Sequence, residues 1–70
     1  NYSAAYQTLV QYDRIMPGNV QVQFYEGYAL EKMDRIREAS AKYATFLRYQ
    51  RQGREAQYAY KRLQSWGYVR

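Results

Sequence analysis

The 70-residue sequence contains no cysteine and no histidine. The absence of both excludes disulfide bonds and the usual structural zinc sites, whose ligands are these two residue types. It also removes the commonest general base and the thiol nucleophile of enzymes, and the six acidic residues show no paired spacing beside a candidate nucleophile. The sequence therefore predicts a protein that is not an enzyme and that needs no metal or cofactor.

Glycine is scarce and isolated, at positions 18, 27, 53 and 67, so no phosphate-binding glycine-rich loop is present. No apolar run approaches the roughly 20 residues that span a bilayer, and the first residues show no basic-then-apolar secretion signal. We therefore expect no transmembrane segment. Because the sequence begins with Asn1 rather than methionine, we expect a removed leader or a segment of a longer protein.

Hydrophobic residues make up 47% of the chain and aromatic residues 19%, with ten tyrosines among them. This content is enough to offset chain entropy, so we expect an ordered fold. Apolar residues recur at helical spacing and strand-like alternation is nearly absent, which predicts a single all-α domain. The predicted helices cover residues 4–16, 20–32, 35–52 and 54–66, joined by short turns that make neighbours antiparallel.

Local signals predict the helix ends. Ser3 and Asn19 are candidate N-caps, while Gly53 and Gly67 are candidate C-terminal stops. Helical periodicity also predicts which residues face inward. They are Ala5, Leu9, Tyr12 and Ile15 or Met16 in the first helix; Val20, Val22, Phe24, Gly27, Tyr28 and Leu30 in the second; Ile36, Ala39, Tyr43, Phe46, Leu47 and Tyr49 in the third; and Ala56, Ala59, Tyr60 and Leu63 in the fourth.

Residues 34 apart repeat the same character, which is the signature of a helical repeat. The pairs are Ala5 with Ala39, Leu9 with Tyr43, Tyr12 with Phe46 and Arg14 with Arg48. With this period the chain resembles the tetratricopeptide repeat family, in which two antiparallel helices per unit stack into a right-handed superhelix. The resemblance implies a partial unit over residues 1–19, a full unit over 20–53 and a capping helix over 54–70.

Some positions match the pattern of the family and others depart from it. Gly27 and Ala39 stand where the family has small residues at a close helix crossing, and Leu30 and Tyr43 match its large apolar and aromatic positions. Departures from the pattern are Gln23 at the tryptophan position, Phe46 and Tyr12 at alanine positions, Arg51 at the proline position and Lys61 at a glycine position. The alternative fold is a plain four-helix bundle without repeat packing.

The resemblance implies a groove lined by the first helix of each unit, which would bind a protein or peptide partner. Its predicted partner-binding residues are Gln21, Phe24, Tyr28, Glu31 and Lys32, with Glu55, Tyr58, Arg62 and Ser65 on the equivalent face of the fourth helix. Phe24 and Tyr28 occupy positions where carboxylate-gripping members have Lys and Asn, so no carboxylate clamp is expected. The exposed side of the first helix predicts self-association or a neighbouring subunit.

Charge offers a second functional hypothesis. Residues 1–34 hold two basic and four acidic residues, net −2, whereas residues 35–70 hold nine basic and two acidic residues, net +7. The basic residues are Arg35, Arg37, Lys42, Arg48, Arg51, Arg54, Lys61, Arg62 and Arg70, and a nucleic acid could bind them with the tyrosines stacking on bases. Because those on the third helix point in different directions, we favour a solvated face and consider nucleic acid an alternative partner.

The chain ends in Trp66-Gly67-Tyr68, and two roles fit this segment. Trp66 either folds back to seal the last helix pair or is an exposed anchor for a partner, and we favour the first role. Such an ending resembles bacterial exported or envelope repeat proteins, which implies a periplasmic or envelope-associated location. A structural subunit of an envelope or filament assembly is the third functional hypothesis.

Overall fold

The computed structural model describes all residues 1–70 and contains four α-helices and no strand. The helices are α1 (Tyr2–Ile15), α2 (Val20–Lys32), α3 (Ile36–Tyr49) and α4 (Arg54–Ser65). The prediction of an all-α fold with four helices is confirmed. None of the four helices has the length and apolar character needed to cross a membrane.

Side-chain caps fix where α1 and α2 begin. The Asn19 side chain accepts a hydrogen bond from the Gln21 backbone N–H at 3.0 Å, which confirms the predicted cap of α2. The predicted Ser3 cap is wrong, because Asn1 accepts from the Ala4 N–H at 3.2 Å and α1 therefore starts earlier. Both asparagines satisfy an N–H group that has no partner within its own helix.

The third helix is shorter than predicted. It ends at Tyr49, and Gln50 already has an extended backbone with φ −134° and ψ 103°. Gly53 was predicted to stop α3, but it stands at the N-cap of α4 with φ +105°, a conformation that favours glycine. Residues 50–53 therefore form the loop between the two helices.

Two helices end with the same backbone motif. After α2 the Arg35 N–H donates to the Leu30 carbonyl at 2.9 Å, and after α4 the Tyr68 N–H donates to the Leu63 carbonyl at 2.9 Å. This six-to-one bond is the Schellman motif, which requires a residue of positive φ between helix and loop. Gly67 fills that place with φ +86°, whereas after α2 it is held by Asp34 with φ +63°.

The helices stack in chain order, α1 against α2, α2 against α3 and α3 against α4, in a molecule of 34 × 24 × 17 Å. Helices α2 and α3 pack closely at Gly27. A Cβ atom at Gly27 would stand 2.8 Å from the Tyr43 ring, which is too close for any side chain. The prediction that Gly27 lies at a helix crossing is therefore confirmed.

A single aromatic-rich core joins α2, α3 and α4. Its buried members are Phe24, Tyr43, Phe46, Ala56, Ala59 and Leu63. Phe24 lies 5.3 Å from Phe46 and 5.7 Å from Tyr43, measured between ring centroids. Ring separations in this range are favourable beyond the area that they bury.

Several residues predicted to face inward are exposed. No residue of α1 is buried, and Ile15 keeps 77% of its surface in water because no helix covers the outer side of α1. Tyr49 is 68% exposed because it is the last residue of α3. Tyr60 is 43% exposed, and its hydroxyl donates to the Arg70 carbonyl at 2.6 Å instead of entering the core.

The C-terminal segment folds back onto the last two helices. The Trp66 ring stacks on Tyr43 with centroids 6.0 Å apart and planes inclined by 16°. Trp66 and Val69 both pack against the core, whereas Tyr68 is exposed. Trp66 therefore closes the end of the helix stack, in the manner that we favoured from the sequence.

Candidate interaction site

Four aromatic rings line a small groove where side chains of α2 and α4 meet. The lining residues are Phe24, Tyr25 and Tyr28 from α2 and Tyr58 from α4, and the groove has a volume of about 170 Å³. A cavity of about 150 Å³ suffices for one benzene ring in an engineered protein. The groove is therefore large enough for one aliphatic or aromatic side chain of a partner.

The rings of this aromatic groove are fixed by their mutual contacts. Phe24 forms the floor because it is only 8% exposed and packs edge-on against Tyr58 at 6.0 Å. Tyr28 and Tyr58 form a wall, with ring centroids 6.0 Å apart. Tyr25 contacts the other side of Phe24 at 5.6 Å and is exposed. The groove is thus preformed, and a partner would spend little energy on ordering it.

The Glu31 carboxylate lies behind the wall formed by Tyr28 and Tyr58, and it connects α2 to α3 and α4. Glu31 of α2 accepts hydrogen bonds from the Tyr43 hydroxyl at 2.7 Å and from the Tyr58 hydroxyl at 3.1 Å. Its second oxygen lies 2.9 Å from Arg62 Nε, although the N–H is not aligned for a hydrogen bond. Because the Glu31 side chain is only 9% exposed and Arg62 is 35% exposed, water screens this ion pair less than one on an open surface.

The two tyrosines bound to Glu31 hold their protons firmly. Burial raises the pKa of Tyr43 far above its ordinary value, and the adjacent Glu31 carboxylate raises it further. Burial and the same carboxylate also raise the pKa of Tyr58, while the positive charge of Arg62 acts in the opposite direction. A neutral phenol donates its proton to the carboxylate, so both hydroxyls remain donors at physiological pH.

Two cations stand at the rim over aromatic faces. Lys32 Nζ lies 5.2 Å from the centre of the Tyr28 ring, and the Arg62 guanidinium lies 4.9 Å from the centre of the Trp66 ring. Both arrangements are cation–π contacts. Arg62 is also paired with Glu31, whereas Lys32 has no carboxylate within 4.0 Å. Lys32 is thus the cation beside the groove that remains available to a partner.

The structure brings most of the predicted partner-binding residues together. Phe24, Tyr28 and Tyr58 line the groove, and Glu31, Lys32 and Arg62 lie behind or beside them. Gln21 is exposed near the start of α2 and makes no side-chain hydrogen bond. Glu55 and Ser65 do not line the groove. Phe24 is mainly a core residue, because it is only 8% exposed. Only its exposed edge contributes to the groove.

Sequence reasoning missed two residues. Tyr25 lines the groove although it was not among the predicted site residues. Glu26 is only 1% exposed, and the half-buried Lys42 ammonium lies 3.1 Å from its Oε1, so an ion pair with a buried carboxylate joins α2 to α3. A signal for Glu26 was present, because it directly precedes Gly27, where the two helices touch. The same contact removes Lys42 from the basic residues available to a phosphate backbone.

Comparison with protein-family models, with curated proteins and with solved structures finds no match for the chain. The interpretation of the site therefore depends on the residues and contacts described above. No group of three or more acidic side chains lies close enough together to hold a metal ion.

Proposed function

We propose that this chain is a helical-repeat module of the tetratricopeptide type whose role is to bind a protein or peptide without catalysis. The aromatic groove between α2 and α4 carries the proposal. It is preformed, it is lined by four rings, and its size suits a single side chain of a partner. Aromatic residues of this kind are enriched at the energetic centres of protein interfaces.

The order of the helices supports repeat-type packing over a plain bundle. In a repeat stack each helix pair contacts only its neighbours, and small residues allow the close crossing within a pair. The chain-order stacking and the contact at Gly27 fit this description. The groove then lies on the side formed by α2 and α4, the helices that begin successive units in the predicted register.

The polar residues around the groove suggest what a partner contains. An apolar side chain would enter between the rings, and an acidic group nearby would meet Lys32, which lacks a carboxylate of its own. Gln21 offers an uncharged hydrogen-bonding group on the same helix. We therefore propose a peptide segment with an apolar anchor and a neighbouring acidic residue as the partner of this groove.

Selection from a phage-displayed library of random peptides, using the intact chain as bait, tests the proposal. We expect enrichment of peptides with one shared apolar anchor, whose affinity falls at least tenfold for Tyr58→Ser. The matched control is Tyr60→Ser, which removes a ring from the outer side of α4 and should change affinity less than twofold. Circular dichroism of both variants verifies that each remains helical.

Two results would contradict the proposal. One is enrichment of the same peptides by Tyr58→Ser bait as by the wild-type chain. The other is saturable binding of single-stranded nucleic acid that weakens steeply as salt rises, which would favour the alternative based on the basic C-terminal half.

A further inference from the structure

Helices α2 and α3 form a hairpin, and a groove lies at its open end, where α2 begins and α3 stops. The groove has a volume of about 380 Å³. Its lining residues are Gly18, Asn19, Val20, Gln23, Thr45 and Tyr49. We call it the α2/α3 groove. It shares no residue with the aromatic groove of the proposed function, with α1 or with the segment after α4.

A basic notch adjoins the α2/α3 groove, and Tyr49 lines both of them. The notch has a volume of about 480 Å³ and is lined by Arg48, Tyr49, Gln50, Arg51 and Gln52. It forms where α3 ends and the backbone becomes extended at Gln50. The Gln50 side-chain amide donates to the Gln52 carbonyl at 3.0 Å, which stabilises this loop. We call this second site the arginine notch.

The two arginines of the notch have no acidic partner in the chain. Its ion pairs involve Arg35, Lys42 and Arg62. Arg48 and Arg51 are exposed and line the same notch, so they repel each other, and both would attract a carboxylate placed between them. Because water and salt screen charges at an exposed site, this attraction contributes mainly to the specificity and rate of association. The arginine notch therefore fits an acidic side chain.

The α2/α3 groove fits an uncharged part of a partner, because none of its lining residues is charged. Val20 packs against the core, and the Tyr49 ring is 68% exposed. The Gln23 amide makes no hydrogen bond within the chain, and its donor and acceptor together match the backbone of an extended peptide. The groove is well above the ~150 Å³ that holds one benzene ring, so an apolar side chain and its backbone fit.

From these adjoining sites we propose that the α2/α3 groove and the arginine notch together bind an acidic, extended segment of another protein. An apolar side chain of the segment lies in the groove against Val20 and Tyr49. The main chain of the segment forms hydrogen bonds with the Gln23 amide, and a Glu or Asp reaches Arg48 and Arg51. This binding does not involve the aromatic groove and therefore goes beyond the proposed function.

A nucleic acid fits the same surface less well than a polypeptide does. Proteins hold single strands in a basic groove that follows the phosphates, with rings that stack on successive bases. Here the cations are confined to the notch, and Tyr49 is the one aromatic residue among the lining residues. A strand crossing the surface would have no phosphate contact in the uncharged α2/α3 groove. The neutral groove beside the basic notch therefore favours a polypeptide.

A second copy of these four helices does not offer an acidic extended segment. Five of the six acidic residues lie in helices, and the sixth, Asp34, lies in the tight turn after α2 with φ +63°. The carboxylates of Glu26 and Glu31 are also paired with cations of their own chain. Docking of one copy on another would therefore leave the arginines of the notch without acidic partners.

The test uses an array of eight-residue peptides in which one Leu, Ile or Phe is followed, directly or after a short Ser spacer, by one or more Glu residues. Peptides that bind the intact chain are labelled with fluorescein and titrated by fluorescence anisotropy. Affinity should rise with the number of Glu residues and fall as salt increases. Replacement of the apolar residue by Ser in the strongest peptide should weaken binding at least fivefold.

Two pairs of variants locate the site. Arg51→Glu should weaken binding at least tenfold, whereas Arg37→Glu, the same change at the opposite end of α3, should weaken it less than threefold. Gln23→Glu places a carboxylate in the uncharged groove and should weaken binding at least fivefold. Its control is Gln57→Glu, which changes the residue 34 positions later in α4, outside the groove, and should alter affinity less than twofold. Circular dichroism verifies that all four variants remain helical.

Several results would overturn the proposal. They include equal affinity of Arg51→Glu and the wild-type chain, and an array without any binding peptide. Tighter binding of a short single-stranded DNA than of every peptide, lost in Arg51→Glu, would instead make the notch a phosphate site. A dimer in sedimentation that Arg51→Glu dissociates would make a second copy the occupant. Tyr58→Ser should bind the peptides as the wild type does, and a loss of affinity in this variant would assign them to the aromatic groove.

Discussion

Helices α2 and α4 begin 34 residues apart in the chain, yet α2 packs between α1 and α3 whereas α4 packs against α3. Where α2 places Glu26, Gly27 and Leu30 against α3, all of them buried, α4 has Tyr60, Lys61 and Gln64, all of them exposed. The first set fits between two helices and the second faces water and the folded-back C-terminus. The comparison shows that a helix enclosed between two others carries small and apolar residues at positions where a helix facing water carries long polar ones.

The largest expected effect is at the close crossing. Gly27→Leu should destabilise the fold by about 3 kcal/mol, because its side chain would overlap the buried Tyr43 ring, which stands 2.8 Å from a Cβ at this position. Lys61→Leu at the equivalent position of α4 should change the free energy of unfolding by less than about 0.5 kcal/mol. Urea unfolding followed by circular dichroism measures both. Similar losses for the two variants would show that α4 is as enclosed as α2.

The polar link behind the groove gives the next largest effect. Glu31→Ala should cost about 2 kcal/mol, because it removes a charged acceptor and leaves the Tyr43 hydroxyl buried without a partner. Ser65 is the equivalent residue of α4 and is exposed. Ser65→Ala should therefore stay within about 0.5 kcal/mol of the wild type. If Glu31→Ala and Ser65→Ala lowered the free energy of unfolding in urea equally little, the contacts of Glu31 with α3 and α4 would not contribute measurably to stability.

Unfolding experiments at alkaline pH test whether the Tyr43 side chain is buried between the helices. Burial raises the pKa of Tyr43 above its unfolded value near 10, so its stabilisation is complete below that pH and is lost as pH rises further. The loss should be about 1.4 kcal/mol per pH unit above pH 10. Urea midpoints between pH 9 and pH 11.5 should fall less steeply for Tyr43→Phe, with a remaining slope from Tyr58. An unchanged slope in this variant would place the titration elsewhere.

The smallest expected effects on stability are at the residues that follow α2 and α4. Asp34 holds φ +63° after α2, where Gly67 holds φ +86° after α4. Asp34→Gly should stabilise the fold by about 0.5 to 1 kcal/mol, since glycine adopts this conformation without strain. Gly67→Ala should destabilise it by about 1 kcal/mol. Thermal unfolding resolves the opposite signs, and a loss of stability in Asp34→Gly would reveal a side-chain role for Asp34.

The number of helices and most of the core were predictable because the helical spacing of apolar residues can be read directly from the sequence. Phe24, Tyr43 and Leu63 are buried as periodicity predicts. Helix ends were less predictable because several residues compete for one cap: Asn1 replaces Ser3, and Gly53 begins α4 instead of ending α3.

Which face of a helix is buried was harder to predict than where the helix lies in the sequence. Burial depends on which neighbouring helix or segment covers that face. Tyr60 has the same periodic position as a core residue and is exposed, and its hydroxyl donates to the Arg70 carbonyl. Glu26 is buried because Lys42 of another helix reaches it. The aromatic groove was partly predictable, because Phe24 and Tyr58 lie 34 residues apart and therefore share a position in the predicted register. Tyr25 was not predicted, and it lines the groove next to Phe24.

The stacking of Trp66 on Tyr43 has a practical consequence, because Trp66 is the sole tryptophan of the chain. Its indole reports on the seam between α3 and α4, and the Arg62 guanidinium over its face adds a charge that affects its emission. Detachment of α4 would expose the ring to water and shift its emission to longer wavelength. The natural sequence thus contains an optical probe of whether its last helix is docked, without any label.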